Sequence, residues 1–521
     1  MKKRRHDAPD DWRRNGQKAI AVNRGDLFVK VPEFMRKSAE ANIGRRTGRT
    51  GVRAPIVARK PRNGGGAKGA QEGGFVTDTT KEKKPATVPE AKQAGEARDR
   101  WEWVEPTVWT ERMLSALEEG VKGGKWYSLM DKVYRMPNLM SAYKEVKRRK
   151  GGAGVDHETM EMIERELIEN LRKISRELAS GEYRPRAIKR TWIEKAGSRE
   201  KRPLGIPTVR DRIAQAALRH VLEPIFERDF AEQSYGFRPK RGSKGALRRV
   251  NKLLEAGNHW VVDADLKSYF DTIPHERLMA RVEEKVSDGR VTELLRAYLT
   301  QDVMESMASW SPEEGTPQGA VISPLLSNIY LDELDHKMAE HGYEMVRYAD
   351  DFVILSRSRE EAEEALEEVK RWTAKAGLTL HPEKTRIVDA RQEKVGFDFL
   401  GYHFERGMKW PRKKSLKKLK ETIRRKTKRN NGRSLQVIIK DVNRTTRGWF
   451  EYFKHSHKTT FKPLDGWIRR RLRTILRKRK RQRGQAKTMR DHLRWPNAYF
   501  EEQGLITLES ALVEARQSST R

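Results

Sequence analysis

Three aspartates stand where a carboxylate needs a reason to be. Asp265 falls near the end of the apolar run Trp260-Val261-Val262-Asp263-Ala264-Asp265-Leu266. Asp350 and Asp351 lie between two more apolar runs, Met345 to Tyr348 and Phe352 to Leu355. Aspartate is seldom buried unless it is paired or holds a metal. A strand over the first run and a hairpin over the other two would bring the three carboxylates together at their ends. Gathered carboxylates repel, so a divalent cation must offset them, and oxygen ligands beside phosphate favour Mg2+. Two such ions, about 3.5–4 Å apart, suit in-line phosphoryl transfer. An Asp-Asp pair alone is as readily a turn; the apolar flanks set this one apart. Asp263 points to the same side of its strand as Asp265 and reads as a structural partner rather than a fourth ligand.

Helices must position these strands. Apolar spacing predicts amphipathic helices over residues 158–179, 211–229 and 358–374, the last with Ala362, Ala365, Leu366, Val369 and Trp372 on one face and glutamates elsewhere. The run Trp101, Trp103, Val104, Trp109, Met113, Leu114, Leu117 has partial helical spacing and marks the start of ordered structure. Lys150-Gly151-Gly152-Ala153-Gly154-Val155-Asp156 matches no nucleotide-loop pattern and reads as a turn that also touches template. Strands and helices alternate without a βαβ rhythm, which predicts an α+β fold.

Composition narrows the partners. The 521 residues carry 110 Lys and Arg against 74 Asp and Glu, a formal net charge of +36 that attracts polyanions. Much of it is concentrated: Pro411 to Arg490 holds 30 Lys and Arg against 4 Asp and Glu. Apolar positions still recur there, so packed helices with positive outer faces are expected. The absence of cysteine excludes disulfides and thiolate zinc sites. No run of 18 apolar residues suggests a membrane span. The basic start MKKRRHDAPD has no apolar run after it. A soluble cytoplasmic protein is expected. Residues 1–100, with six glycines between Gly64 and Gly74, have little to bury and are expected to be a disordered basic extension.

The motifs resemble one family. Tyr348-Ala349-Asp350-Asp351 resembles the Tyr-x-Asp-Asp box of reverse transcriptases, and Asp265-Leu266-Lys267-Ser268-Tyr269-Phe270-Asp271 its first catalytic block. Thr316-Pro317-Gln318-Gly319 with Ser323-Pro324-Leu325-Leu326-Ser327-Asn328 resembles the block that holds template and nucleotide. Arg202-Pro203-Leu204-Gly205-Ile206-Pro207, Ser234-Tyr235-Gly236-Phe237-Arg238-Pro239 and Leu378 to Lys384 match further blocks, in the same order. Gly151 to Asp156, Phe399-Leu400-Gly401-Tyr402, Arg447-Gly448-Trp449-Phe450-Glu451-Tyr452-Phe453, Trp467 to Leu472 and Arg494 to Phe500 are similar to bacterial group II intron-encoded reverse transcriptase/maturases of the compact class without an HNH endonuclease. The resemblance covers roughly residues 105–510, and the long N-terminal stretch departs from it.

It implies a right-hand polymerase: N-terminal helices and fingers over 101–258, palm over 259–405, basic thumb/maturase domain over 406–510 and a tail over 511–521. Asp265, Asp350 and Asp351 would hold two Mg2+ ions, Mn2+ being a substitute, with Asp351 contributing least and the Leu266 backbone carbonyl on the nucleotide-side metal. Phe270 would lie under the incoming sugar and exclude a 2′-hydroxyl. Lys195 and Arg202 would grip the triphosphate, Lys384 would stand near the leaving pyrophosphate, and Gln318 would position template base or nucleotide. Arg238, Pro317 and Gly319 would brace the template, glycine allowing close backbone approach. The aromatic group Trp449, Phe450, Tyr452 and Phe453 could stack on bases, but its helical spacing reads as core.

The expected activity is RNA-directed DNA synthesis from deoxynucleoside triphosphates on an RNA template with a DNA primer. The expected partners are a group II intron RNA, which the protein would help to splice, and a target DNA, with nucleoid association during mobility and no membrane. Two rivals differ in biology or chemistry: a domesticated or defence-associated reverse transcriptase without splicing duty, and a non-catalytic splicing factor on a polymerase scaffold. The thumb motifs argue against the first and the intact acids against the second.

Overall fold

A computed structural model describes residues 100–194, 201–306, 308–486 and 488–519. All of them fall in one of the chain's two compact units, Pro85–Arg521. The expectation for residues 1–99 and the fingertip residue Lys195 lie outside the described residues.

Eleven strands are present among the described residues: β1 (Ile188–Glu194), β2 (Lys201–Ile206), β3 (Trp260–Asp265), β4 (Val303–Glu305), β5 (Ala308–Trp310), β6 (Glu344–Tyr348), β7 (Asp351–Ser356), β8 (Arg386–Asp389), β9 (Phe397–Phe399), β10 (Tyr402–Glu405) and β11 (Met408–Pro411). They form three sheets, ordered β2-β1-β4-β5, β6-β7-β3-β8 and β11-β10-β9. The middle sheet is antiparallel throughout, and helices surround it, which makes the fold α+β.

Side-chain alternation gives that middle sheet two different faces. Val262 and Ala264 of β3 and Phe352 and Ile354 of β7 enter a large core with helices Ser323–Glu340 and Arg359–Lys375. Val261 of β3 and Val353 and Leu355 of β7 enter a second core with helix Ser243–Glu255 and the aromatic rings of β9 and β10. Strand residues two apart share a face, so Asp263, Asp265 and Asp351 belong to the second face. Both faces pack hydrocarbon, and the acids of the second face lie toward one end of its strands.

The helices follow their sequence signals. Ser358 caps Arg359–Lys375 by accepting from the Glu361 N–H, and the predicted face of Ala362, Ala365, Val369 and Trp372 is buried. Thr208 caps Val209–Glu227 through the Asp211 N–H. The expected helix over residues 158–179 is two helices, Met160–Arg165 and Leu167–Ser180, broken at Glu166, whose φ of −127° is not helical. The apolar spacing runs through the break because both pieces pack on the same core.

The basic C-terminal region is a helical domain with its own core, including Leu419, Ile438, Phe461, Ile468 and Leu472. Phe450 and Phe453 are buried, and the Tyr452 hydroxyl donates to the Leu400 carbonyl at 2.7 Å, so the aromatic group fastens the palm to the helix Leu435–Phe453. Residues 511–519 are helical, not the expected tail. Helix Leu508–Ser519 begins with its Leu508 and Glu509 N–H groups donating to buried Asp465, and Leu508 and Leu512 enter the thumb core. Helix Phe461–Arg479 supplies Asp465. Asp465 is one of only four acids in the stretch Pro411 to Arg490, and it captures otherwise unpaired N–H groups at the start of another helix.

Candidate active site

The site is built on strand register. Asp265, the last residue of β3, pairs directly with Asp351, the first of β7, and Tyr348 of β6 also faces Asp351. Opposed residues of an antiparallel pair lie about 4.5–5.5 Å apart at Cα, so the two catalytic-block acids meet on one face. Asp350 occupies the hairpin turn with Ala349, whose φ is +60°. Burial, together with the charges of Asp350, Asp263 and Asp265, pushes the Asp351 carboxyl up to about 7. Asp350 is raised for the same reason, burial first, while the cations Arg202 and Arg347 draw it back. Burial also lifts Asp263 to about 6, against the opposing pull of Arg386, whose Nη2 lies 3.4 Å from its carboxylate.

This donor set fits divalent metal. It offers hard oxygen ligands with unbalanced negative charge, conditions that favour Mg2+ near phosphate. The bridge between Leu266 and Leu380 is made by neighbouring atoms: the Asp265 carbonyl accepts from His381 N–H at 2.7 Å, and Lys267 N–H donates to Thr379 at 2.8 Å. The Leu266 carbonyl is therefore not consumed by that bridge. Among the described residues, no three acidic or imidazole side chains are arranged so as to hold an ion as they stand. Asp265 is instead turned toward Lys384, whose ammonium pairs with its Oδ2. Lys384 thus pairs with the Asp265 carboxylate while remaining more than half exposed.

A second layer fixes the turn. Arg347 of β6 is fully buried, its Nε donating to Asp335 at 2.7 Å and its Nη1 to Asn328 Oδ1 and the Ala349 carbonyl, each at 3.0 Å. Asn328 Nδ2 in turn donates to the Gly236 carbonyl at 2.8 Å. A Cβ on Gly236 would lie 2.2 Å from the Ala349 nitrogen, so only glycine lets this loop meet the catalytic turn. Sequence alone assigns these supporting residues no role. The available signal is Arg347 itself, a cation inside an apolar strand.

Other expected residues divide. Phe270 is partly buried, with its ring 5.6 Å from that of Tyr269 and 6.5 Å from that of Phe237. Phe237 in turn lies 6.4 Å from Tyr348, so an aromatic floor joins the two catalytic blocks. Phe270, Pro317 and Gln318 line a cleft of about 280 Å3 together with Arg190 and Pro203 of the fingers sheet. Gln318 presents its carbonyl to Gly205 N–H at 2.7 Å, and Gly319, at φ +114°, lets the β2 backbone approach.

Arg238 is a correction. It is 2% exposed and spends its donors on Glu227 and the carbonyls of Phe230, Ala231 and Ser234. A guanidinium with its donors so used shapes its own loop and does not reach template. The glycine loop is likewise structural: a Cβ on Gly154 would meet the Thr208 backbone at 2.7 Å, and Arg212 holds the Gly152 carbonyl at 2.5 Å.

On the thumb, Lys440, Arg444 and Arg447 lie along one exposed face of helix Leu435–Phe453. With Gln436, Asn443 and Gln503 they line a groove of about 510 Å3.

Comparison with known proteins agrees with this geometry. Residues 193–404 match the reverse transcriptase (RNA-dependent DNA polymerase) family, and residues 416–495 match the group II intron maturase-specific domain. Protein YkfC of Escherichia coli (strain K12) is 35% identical over 292 residues, which span 49% of this chain and 76% of YkfC. The chain belongs to the group II intron reverse transcriptase/maturase family. The group II intron-encoded protein LtrA of Lactococcus lactis subsp. cremoris is 33% identical over 255 residues, covering 49% of this chain and 41% of LtrA. The chain thus matches less than half of LtrA's length. A Cas6-RT-Cas1–Cas2 complex, 25% identical over 47% of this chain and 42% of that one, superposes with a TM-score of only 0.31, too low to add to the assignment. Members of this family are RNA-directed DNA polymerases with a right-hand fold, generally use divalent metal, and bind RNA. No helix among the described residues is long and apolar enough to cross a membrane.

Proposed function

We propose that this protein copies its intron RNA into DNA by two-metal phosphoryl transfer and binds the same RNA to assist its splicing and mobility. The observation that carries the chemistry is the direct pairing of Asp265 with Asp351 beside the Asp350 turn. Bound Mg2+, or Mn2+ in its place, would lower the pKa of the primer 3′-hydroxyl and neutralise the leaving pyrophosphate.

The chain's own residues do the rest. Asp265, Asp350 and Asp351 hold the metals, with the Leu266 carbonyl on the nucleotide side. Arg202, whose charge already reaches Asp350, and Lys195 neutralise the triphosphate. Phe270 closes the floor under the sugar and leaves no space for a 2′-hydroxyl. Gln318 orients the nucleotide or template base, with Pro317 and Gly319 beside it. In this reading the fingers occupy residues 101–258, the palm 259–405, and the thumb the residues after it. The thumb's positive faces hold RNA through phosphate, with target DNA as a second partner.

The test is extension of a DNA primer on an RNA template with deoxynucleotides and Mg2+. Robust synthesis by the intact chain and none by Asp265→Ala supports the polymerase assignment; synthesis by both overturns it. Splicing of the flanking intron RNA, with and without the protein, tests the maturase half.

A further inference from the structure

We propose that Lys384 is a stand-in cation for the catalytic carboxylates: its ammonium holds Asp265 until a divalent ion displaces it, and that displacement frees the lysine for the nucleotide's phosphates. The inference rests on the two-metal reading above.

Lys384 is delivered by a turn tied to the backbone of Asp265 itself. His381 N–H donates to the Asp265 carbonyl at 2.7 Å, and Lys384 and Thr385 N–H donate to the His381 carbonyl at 3.2 and 3.0 Å. The lysine Cα therefore keeps its place beside the site, and only the side chain is free to choose a partner. Its choice is Asp265 Oδ2, with the lysine side chain 58% and the aspartate 30% exposed. A pair so exposed is weakly held and readily exchanged.

The ammonium sits on Oδ2 of Asp265, and two cations on one carboxylate repel each other and divide its lone pairs. Metal entry therefore weakens the pair, and the two cations compete for one ligand. Without either, Asp265 would add uncompensated charge beside Asp350 and Asp351, which are already crowded. Arg386 offers a useful contrast. It pairs with Asp263 at 3.4 Å but also donates to the Gly396 carbonyl at 3.1 Å, so it is anchored. For Lys384 no second side-chain partner is present among the described residues. Its stem is flexible and its donors rotate, so it can swing from a carboxylate to a phosphate without moving the turn.

Mn2+ binding to the full-length protein, without nucleic acid, tests this by the electron paramagnetic resonance of free Mn2+. Lys384→Met is expected to bind Mn2+ about two- to fivefold more tightly than wild type, the scale of a half-exposed ion pair. Lys384→Arg, which keeps the cation, should stay near wild type. Asp265→Asn should lose the tightest site. Equal or weaker Mn2+ binding by Lys384→Met, with the Asp265-dependent site intact, overturns the stand-in role and leaves the polymerase reading standing. A wild-type protein with no Asp265-dependent Mn2+ site overturns both.

Discussion

Asp351 combines poor solvation with three acidic neighbours, so its charge is held at a cost to the fold, as the proposed metal-binding role requires. Replacing it with the uncharged Asn removes repulsion while keeping shape. Asp351→Asn is therefore expected to raise the thermal midpoint in EDTA by about a degree, roughly a kcal/mol of stability, while lowering primer extension. Melting curves with EDTA and with Mg2+ check it; an unchanged or lower midpoint in EDTA would count against charge crowding. Asp265→Ala and Asp350→Ala should lose extension by at least about a thousandfold, as expected when metal ligation fails, with RNA affinity within about twofold; single-turnover extension and filter binding measure the two. Phe270→Ala should narrow the preference for deoxynucleotides over ribonucleotides at least about tenfold, since the ring forms the floor with Phe237 and Tyr269. Competitive incorporation of the two nucleotides reads this directly.

At the level of the elements, the catalytic turn is held from behind. Arg347 and Asp335 form an ion pair that is fully buried on both sides. Removing one partner of such a pair leaves an uncompensated charge, which costs about 3–5 kcal/mol. Arg347→Met should lower unfolding stability by that order, read in urea denaturation. Gly236→Ala should act differently. The added Cβ collides with backbone rather than a movable side chain, so extension should fall at least about tenfold with the fold retained by circular dichroism. The strands and their acids are legible in the sequence because a carboxylate in an apolar run is a loud signal. The Arg347 network is not, since Arg347 lies on a strand while its partners Asp335 and Asn328 come from the helix Ser323–Glu340, and they meet only after folding. Arg238 misleads for a related reason: a basic residue in a family block looks like a ligand for nucleic acid until its carboxylate, Glu227, is seen beside it. The split between Met160–Arg165 and Leu167–Ser180 is hidden in the sequence because both halves bury the same periodic face.

For the whole molecule, charge is distributed by task. The palm concentrates negative charge at one sheet end, while the thumb carries an excess of cations over its own hydrophobic core. Composition alone makes that division visible, although it does not say which cations are structural. Arg473, in a run of arginines, is buried and donates to the Trp495 carbonyl at 2.8 Å. Lys440, Arg444 and Arg447 face a groove instead. Replacing those three with Gln should weaken RNA binding and flatten its dependence on salt by about 0.7–0.9 in log–log slope for each phosphate no longer neutralised. Titrations at several salt concentrations give the slope; an unchanged slope would remove this groove from the RNA surface.

The alternation of β3 and β7 has a consequence for biogenesis. A slip of β3 by one residue against β7 would turn Asp263 and Asp265 toward the hydrocarbon of Phe352 and Ile354. Burying those carboxylates in hydrocarbon is costly, so the register that satisfies the core is also the register that sets the acids of β3 opposite that of β7.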